Sequence, residues 1–123
     1  MTRNRKSAKD AGRTFANSIV DALKLRFPEL AEHLDRRVQS GAGDRGDIAG
    51  LPGLAIEAKC HAAYGGKLPG WLKEAETERV NAGAMLGVVW HKRVGKANAA
   101  EAFVSMDGHT FLTLLSTWLK AHQ

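Results

Sequence analysis

The apolar residues near the start of the chain recur at helical spacing. Four large ones stand four positions apart: Phe15, Ile19, Leu23 and Phe27. Because residues four apart share one face of a helix, the pattern predicts an amphipathic helix from Gly12 to Phe27. Pro28 ends this helix or bends it sharply. A second, shorter helix is predicted over residues 29–37.

Between Leu54 and Lys59 the pattern alternates instead. Side chains of a strand point to opposite faces in turn, so the even-numbered residues would pack inward while Glu57 and Lys59 emerge side by side. Asp47 lies ten residues before Glu57, and the glycines and proline between them favour a turn. A hairpin would therefore bring the two carboxylates together at one edge of a sheet.

The second half of the chain alternates between helical and strand patterns. We predict a helix over residues 71–82, a buried strand over 85–92 and a further strand over 101–106. A final helix would start at Asp107 or Gly108, with an apolar face made of Phe111, Leu114, Leu115, Trp118 and Leu119. Periodicity alone indicates an α/β or α+β domain, without the order or direction of its strands.

Length and composition are typical of one globular domain, with 123 residues, 44% of them hydrophobic and 25% charged. The single cysteine, Cys60, excludes an internal disulfide framework and suits a reducing compartment. No apolar run approaches the roughly 20 residues of a membrane span, and the N-terminus lacks the hydrophobic stretch of a secretory signal. We therefore expect a cytoplasmic protein that does not enter a membrane.

The net charge of +5 is concentrated at the N-terminus. The first 13 residues contain one acid, Asp10, and five bases: Arg3, Arg5, Lys6, Lys9 and Arg13. We interpret residues 1–12 as a flexible basic arm and residues 13–123 as a single domain. Such an arm can follow a phosphate backbone, and a solubility tail explains the same composition.

Asp47, Glu57 and Lys59 are the main candidates for chemistry. Two hard carboxylate ligands suit Mg²⁺ or Mn²⁺, and a lysine beside them is the arrangement that a metal-dependent phosphodiesterase needs. A Glu-x-Lys pair on a solvated strand is the structural alternative. Asp44 is a rival ligand, but its place before Arg45 and a glycine favours a turn-capping role.

These residues lie in a segment that resembles the active-site signature of the PD-(D/E)XK nuclease superfamily. The resemblance rests on residues 43–53 and 56–59 and continues through 71–76, 81–84, 87–89 and 91–93. In that superfamily the chain looks most like the small phage-encoded, archaeal-type Holliday junction resolvases, over roughly residues 12 to 115. The resemblance implies an α/β fold of the restriction-endonuclease type, in which helices flank a mixed central sheet.

The resemblance also implies an activity, the hydrolysis of phosphodiester bonds in branched DNA by a metal-activated water. Asp47, Glu57 and the backbone carbonyl of Ala58 would hold Mg²⁺ or Mn²⁺. Lys59 would orient the water or stabilise charge developing on the phosphate. Cutting a symmetric four-way junction calls for a homodimer with two active sites, and the last predicted helix offers Trp118 or Leu119 as partner contacts.

Six basic residues are candidate contacts to DNA phosphates. Two precede the glycine-rich loop, one lies within it and three follow the buried strand: Arg36, Arg37, Arg45, Lys92, Arg93 and Lys96. Solvated turns explain the same charges without DNA.

One position departs from the family pattern. Relatives carry an acid in the first helix where this chain has Ala16, and Asn17 or Asp21 could substitute for it. Two alternative functions therefore stay open: a related nuclease acting on flaps, ends or duplex DNA, and a DNA-binding module that does not cut. Glu74 and Glu78 share one face of their predicted helix, which we interpret as a solvated surface.

Overall fold

The computed structural model of the protein describes residues 4–38, 43–61 and 63–123. These residues form three α-helices, five strands and two short 3₁₀ helices. In chain order the elements are α1 (Arg5–Arg26), a 3₁₀ helix (Pro28–Leu30), β1 (Asp35–Arg36), β2 (Ile48–Ala49), β3 (Leu54–Lys59), α2 (Leu68–Ala82), β4 (Leu86–His91), a 3₁₀ helix (Ala99–Glu101), β5 (Phe103–Ser105) and α3 (Gly108–Ala121). The predicted α/β class is confirmed.

The main sheet has three strands in the order β3-β4-β5. β3 and β4 run parallel, with Glu57 opposite Val89, and α2 makes the crossover that a parallel pair requires. β5 runs antiparallel to β4, with Ser105 opposite Val89. β1 and β2 form a separate antiparallel pair. The main sheet is therefore mixed.

Helices cover both faces of the main sheet. Ile56 and Val88 pack with the buried residues of α1 on one face, whereas Val89 packs with Trp71 and Ala75 of α2 on the other. Since alternate residues of a strand face opposite ways, Glu57 lies on the α2 face. Gly87 permits this packing, because a Cβ there would lie 2.5 Å from the carbonyl oxygen of Ala75.

The first helix begins earlier than predicted. It starts at Arg5, where Oδ1 of Asn4 accepts a 2.7 Å hydrogen bond from the backbone N–H of Ser7. Residues 5–12 of the segment that we interpreted as a flexible basic arm belong to this helix, and residues 1–3 lie outside the described residues.

The second predicted helix, over residues 29–37, is wrong. Only Pro28–Leu30 is helical, and β1 follows with Arg36 opposite Ile48. The chain extends here because β2 supplies hydrogen-bond partners and Leu34 enters the core, where it is buried. The remaining elements match the predictions to within a few residues, and Asp107 caps α3 by accepting a 2.8 Å hydrogen bond from the N–H of Thr110.

The apolar face predicted for α3 is largely exposed. Thr110 is the only buried residue of this helix. Phe111, Leu112, Trp118 and Leu119 are exposed. Among the described residues, no helix is both long and apolar enough to cross a membrane.

Candidate active site

Asp47 is fixed against β3 by two hydrogen bonds. Its backbone N–H donates to the carbonyl oxygen of Ile56 over 2.7 Å, and its Oδ2 accepts from the N–H of Ala58 over 2.8 Å. The predicted turn therefore does bring Asp47 to the strand that carries Glu57. Gly46 makes the close approach possible, because its φ is +97° and a Cβ would lie 2.9 Å from the oxygen of Ile56.

Glu57 is buried, with 6% of its surface exposed. Its carboxyl lies within hydrogen-bonding reach of the carboxyls of Asp47 and Glu78. A third acid is close as well: Asp44, Glu57 and Glu78 each offer a carboxylate oxygen, and these oxygens lie within 4.8 Å of one another. Four acidic residues from a loop, a strand and a helix thus meet at one place.

Burial and nearby negative charges disfavour ionisation of Glu57 and Glu78. Desolvation, hydrogen bonding to Asp47 and Glu78, and their negative charges raise the pKa of Glu57 far above its ordinary value. Desolvation and the nearby negative charges of Asp44, Asp47 and Glu74 outweigh the lowering effect of the hydrogen bond with Glu57 and raise the pKa of Glu78 to about 7. A site of this kind requires a shared proton or a bound cation.

We interpreted the face of α2 that carries Glu74 and Glu78 as a solvated surface, and this interpretation is wrong for Glu78. Glu78 is 1% exposed, and no N–H group among the described residues donates a hydrogen bond to either of its side-chain oxygens. A signal for this existed in the sequence. Trp71, Ala75 and Glu78 follow the i, i+4, i+7 spacing of a buried helical stripe, and these three are the buried residues of α2.

Lys59 points to the α2 side of the sheet. Its Nζ lies 2.9 Å from Oε2 of Glu74 and 5.9 Å from the ring centre of Trp71. Desolvation lowers the pKa of Lys59, but the hydrogen bond to Glu74 and the charges of Glu57, Glu74 and Asp47 outweigh it and raise the pKa above its ordinary value. The lysine is therefore held in its charged form. Trp71 is buried.

A cleft of about 650 Å³ opens beside Asp47 and Glu57. It lies between the N-terminal half of α1 and the segment that follows β1. Its walls are formed by Lys9, Gly12, Arg13, Ala16, Arg36, Arg37, Val38, Asp47, Glu57 and Ala58. The three predicted metal-site residues thus share one cleft with two of the six predicted DNA contacts. Four basic side chains surround the acids.

The other four predicted DNA contacts do not line this cleft. Arg45 is exposed in the loop before Asp47. Lys92 lines a separate cavity of about 210 Å³ against α1. The guanidinium of Arg93 lies 5.0 Å from the ring centre of Phe103, and Lys96 pairs with Glu101 at 3.3 Å.

The first helix brings no acid to the cleft within the described residues. Ala16 occupies the cleft wall, while Asn17 and Asp21 are exposed and do not line it. Neither of them takes the place of the acid expected at Ala16. Asp44 has the predicted capping role, because its Oδ1 accepts a 2.9 Å hydrogen bond from the N–H of Gly46.

Comparisons with protein-family models, with curated proteins and with solved structures give no match to this chain. Its function must therefore be inferred from the residues of this site.

Proposed function

We propose that the protein is a metal-dependent endodeoxyribonuclease of the restriction-endonuclease-like fold that resolves four-way DNA junctions. One observation carries the proposal. Asp47 and Glu57, ten residues apart in sequence, meet in a cleft that is bordered by Arg36 and Arg37. Acids that hold a divalent cation, next to bases that hold a phosphate, are what phosphodiester hydrolysis requires.

The residues fit a divalent cation. Asp47 and Glu57 present hard oxygen ligands, and Glu57 is buried with a raised pKa that a nearby cation would lower. These two carboxylates and the backbone carbonyl of Ala58 would hold Mg²⁺ or Mn²⁺. The bound cation supplies an activated water and neutralises charge on the phosphate. Lys59, held charged beside Glu74, adds positive potential for the charge that develops in the transition state.

The basic residues of the cleft would position the DNA backbone. Lys9 and Arg13 approach the acids from α1, and Arg36 and Arg37 approach from β1 and the residue after it. The backbone N–H of Arg37 donates to the carbonyl oxygen of Asp47 over 2.7 Å, which fixes it next to the site. Its Nε is shielded from solvent and has no acceptor among the described residues. A phosphate oxygen would supply that acceptor.

A second copy of the chain would cover the apolar face of α3. The large apolar side chains on this face are 37% to 64% exposed, and an exposed apolar face of this kind is typical of an interaction surface. The exposed side chains of this face are Phe111, Leu112, Leu114, Trp118 and Leu119. None is charged, so two copies can meet without repulsion. A symmetric pair would present two active sites to a symmetric junction.

Cleavage of a labelled four-way junction tests the proposed activity. The wild type is compared with Glu57→Gln and with Glu76→Gln, which removes an exposed acid from α2. Linear duplex, flap and single-stranded DNA are the substrate controls, each assayed with Mg²⁺, with Mn²⁺ and with EDTA. We expect paired cuts in the junction that require metal and Glu57 but not Glu76.

Each other result selects a different function. Equal cutting of all substrates would indicate a general nuclease. Tight junction binding without cuts in either metal would favour a DNA-binding module, the candidate that Ala16 in the cleft wall supports. Neither binding nor cutting would overturn the proposal.

A further inference from the structure

Glu78 has no cationic or N–H partner that explains its burial. It is 1% exposed, and both of its side-chain oxygens are shielded from solvent without an N–H donor among the described residues. A buried carboxylate in this condition is costly, because it loses its hydration and gains no hydrogen bond from an N–H group. Glu76, on the same helix, is in the usual environment of a glutamate: it is exposed and pairs with Arg79 at 2.6 Å.

Glu78 faces two further acids. Oxygens of Asp44, Glu57 and Glu78 lie within 4.8 Å of one another, which is the spacing of ligands around a single cation. Asp44 belongs to the loop before Asp47, Glu57 to β3 and Glu78 to α2. The side-chain amide of Asn81 donates a 2.8 Å hydrogen bond to the carbonyl oxygen of Asp44 and ties the loop to α2. The three acids are therefore held together by the fold.

The cationic residues of β3 and α2 near this cluster pair with other acids. Lys59 pairs with Glu74 at 2.9 Å, and Arg79 donates hydrogen bonds to Glu76 through two nitrogens. Neither makes an ion pair with Asp44, Glu57 or Glu78 among the described residues. Neither of these two side chains therefore neutralises the cluster.

We propose that Glu78 is a metal ligand contributed by α2, and that Asp44, Glu57 and Glu78 together bind a divalent cation, Mg²⁺ or Mn²⁺. The three carboxylates supply the hard oxygen donors that these ions prefer. Glu57 is also a ligand in the metal site of the proposed function, so this inference rests on that proposal for the role of Glu57. Glu78 then supplies an acid from a helix on the opposite side of the sheet from Ala16.

Manganese titration of the full chain without DNA tests the inference. Isothermal calorimetry measures Mn²⁺ affinity for the wild type, Glu78→Gln, Asp44→Asn and the control Glu76→Gln. Glutamine matches glutamate in size, and the asparagine of Asp44→Asn keeps the oxygen that caps the turn, so circular dichroism should show both variants folded. We expect Glu78→Gln and Asp44→Asn each to weaken Mn²⁺ binding at least about tenfold, and Glu76→Gln to change it less than about twofold.

Thermal unfolding gives a second readout. Mn²⁺ should raise the Tm of the wild type and of Glu76→Gln but not that of Glu78→Gln. Equal Mn²⁺ affinity in Glu78→Gln and Glu76→Gln would overturn the inference, as would a wild type that binds no Mn²⁺. Should Glu78→Gln fail to fold, an unchanged affinity in Asp44→Asn would overturn the shared site.

The two proposals fail separately. Metal-dependent junction cleavage, together with Mn²⁺ affinity that is unchanged in Glu78→Gln, would support the nuclease function and exclude Glu78 as a ligand. Mn²⁺ binding that needs Glu78, in a protein that cuts no DNA, would establish the ligand set and refute the nuclease.

Discussion

The backbone N–H of Ala58 donates a 2.8 Å hydrogen bond to Oδ2 of Asp47, eleven residues earlier in the chain. This bond fixes the carboxylate of Asp47 at the edge of β3, beside Glu57. A side chain that is held by its own scaffold needs little further ordering when it binds a ligand. The same bond gives Asp47 a structural role that can be separated from its charge.

Asp47→Ala and Asp47→Asn should therefore differ in stability but agree in metal binding. Alanine leaves the N–H of Ala58 without its acceptor and should cost about 1 to 3 kcal/mol in the free energy of unfolding. Asparagine keeps an acceptor oxygen and should cost less. Both remove the charge, so both should weaken Mn²⁺ binding about tenfold or more. Urea unfolding and calorimetry measure the two effects, and unchanged Mn²⁺ affinity would contradict the ligand role.

Replacement of Lys59 should affect catalysis more than metal binding. Lys59→Met keeps an apolar stem against Trp71 but removes the charge that lies 2.9 Å from Glu74. If this charge stabilises the transition state, kcat should fall about 100-fold or more, while Mn²⁺ affinity changes less than about threefold. Single-turnover junction cleavage gives the rate. Glu74→Gln is the control, since it removes the partner of Lys59 but keeps the lysine, and it should retain most of the activity.

The metal-free protein should lose stability as the pH rises. Glu57 and Glu78 have raised pKa values in the folded protein, whereas the pKa of a glutamate in the unfolded chain is near 4.5. Above pH 4.5 the folded protein therefore keeps protons that the unfolded chain has released. The contribution of these two groups to the free energy of unfolding is fully present below pH 4.5 and is lost as the pH rises through their raised pKa values, by about 1 to 3 kcal/mol. The charged groups that face the pair are Asp44, Asp47, Lys59 and Glu74.

Urea unfolding in EDTA at pH 5 and pH 8 measures this difference. Glu78→Gln should reduce it, because glutamine has no proton to lose. Glu76→Gln should not reduce it, because the hydrogen bond from Arg79 lowers the pKa of Glu76 instead. A wild type that gains stability between pH 5 and pH 8 would refute the raised pKa values.

Arg36 and Arg37 should contribute to DNA binding through phosphates alone. Arg36→Ala and Arg37→Ala should each weaken junction binding about tenfold, and each should reduce the slope of log Kd against log salt by about one. Arg26→Ala, at the far end of α1 from the cleft, is the matched control. Fluorescence anisotropy over a range of salt concentrations measures both quantities. If both cleft variants have the salt dependence of the wild type, the DNA does not bind in this cleft.

The apolar face of α3 should control self-association. Trp118, which is 52% exposed, lies in this face, and Trp118→Arg should convert a dimer into a monomer because it puts a charge at the contact. Leu25→Arg changes another exposed apolar residue, on α1, and should leave the dimer intact. Size-exclusion chromatography with light scattering measures the mass. A monomeric wild type would exclude this interface.

The local pattern of the sequence was sufficient for most elements of the fold. The helix through Phe15, the strand through Ile56 and the helix that starts at Gly108 all appear where periodicity and capping residues predict them. The prediction from local pattern was wrong over residues 29–37, because the strand at Arg36 depends on pairing with Ile48. No periodicity within a segment discloses a partner twelve residues away.

The candidate site divides in the same way. The sequence by itself determined that an acid, a second acid and a lysine stand at Asp47, Glu57 and Lys59, and that a turn connects them, since alternation and turn residues are local properties. Only the tertiary structure decided that the carboxyl of Glu78 lies next to Glu57 and that Glu74 holds Lys59. The spacing of residues within α2 indicates which of its side chains are buried, but which residues of β3 they meet depends on how the two elements pack.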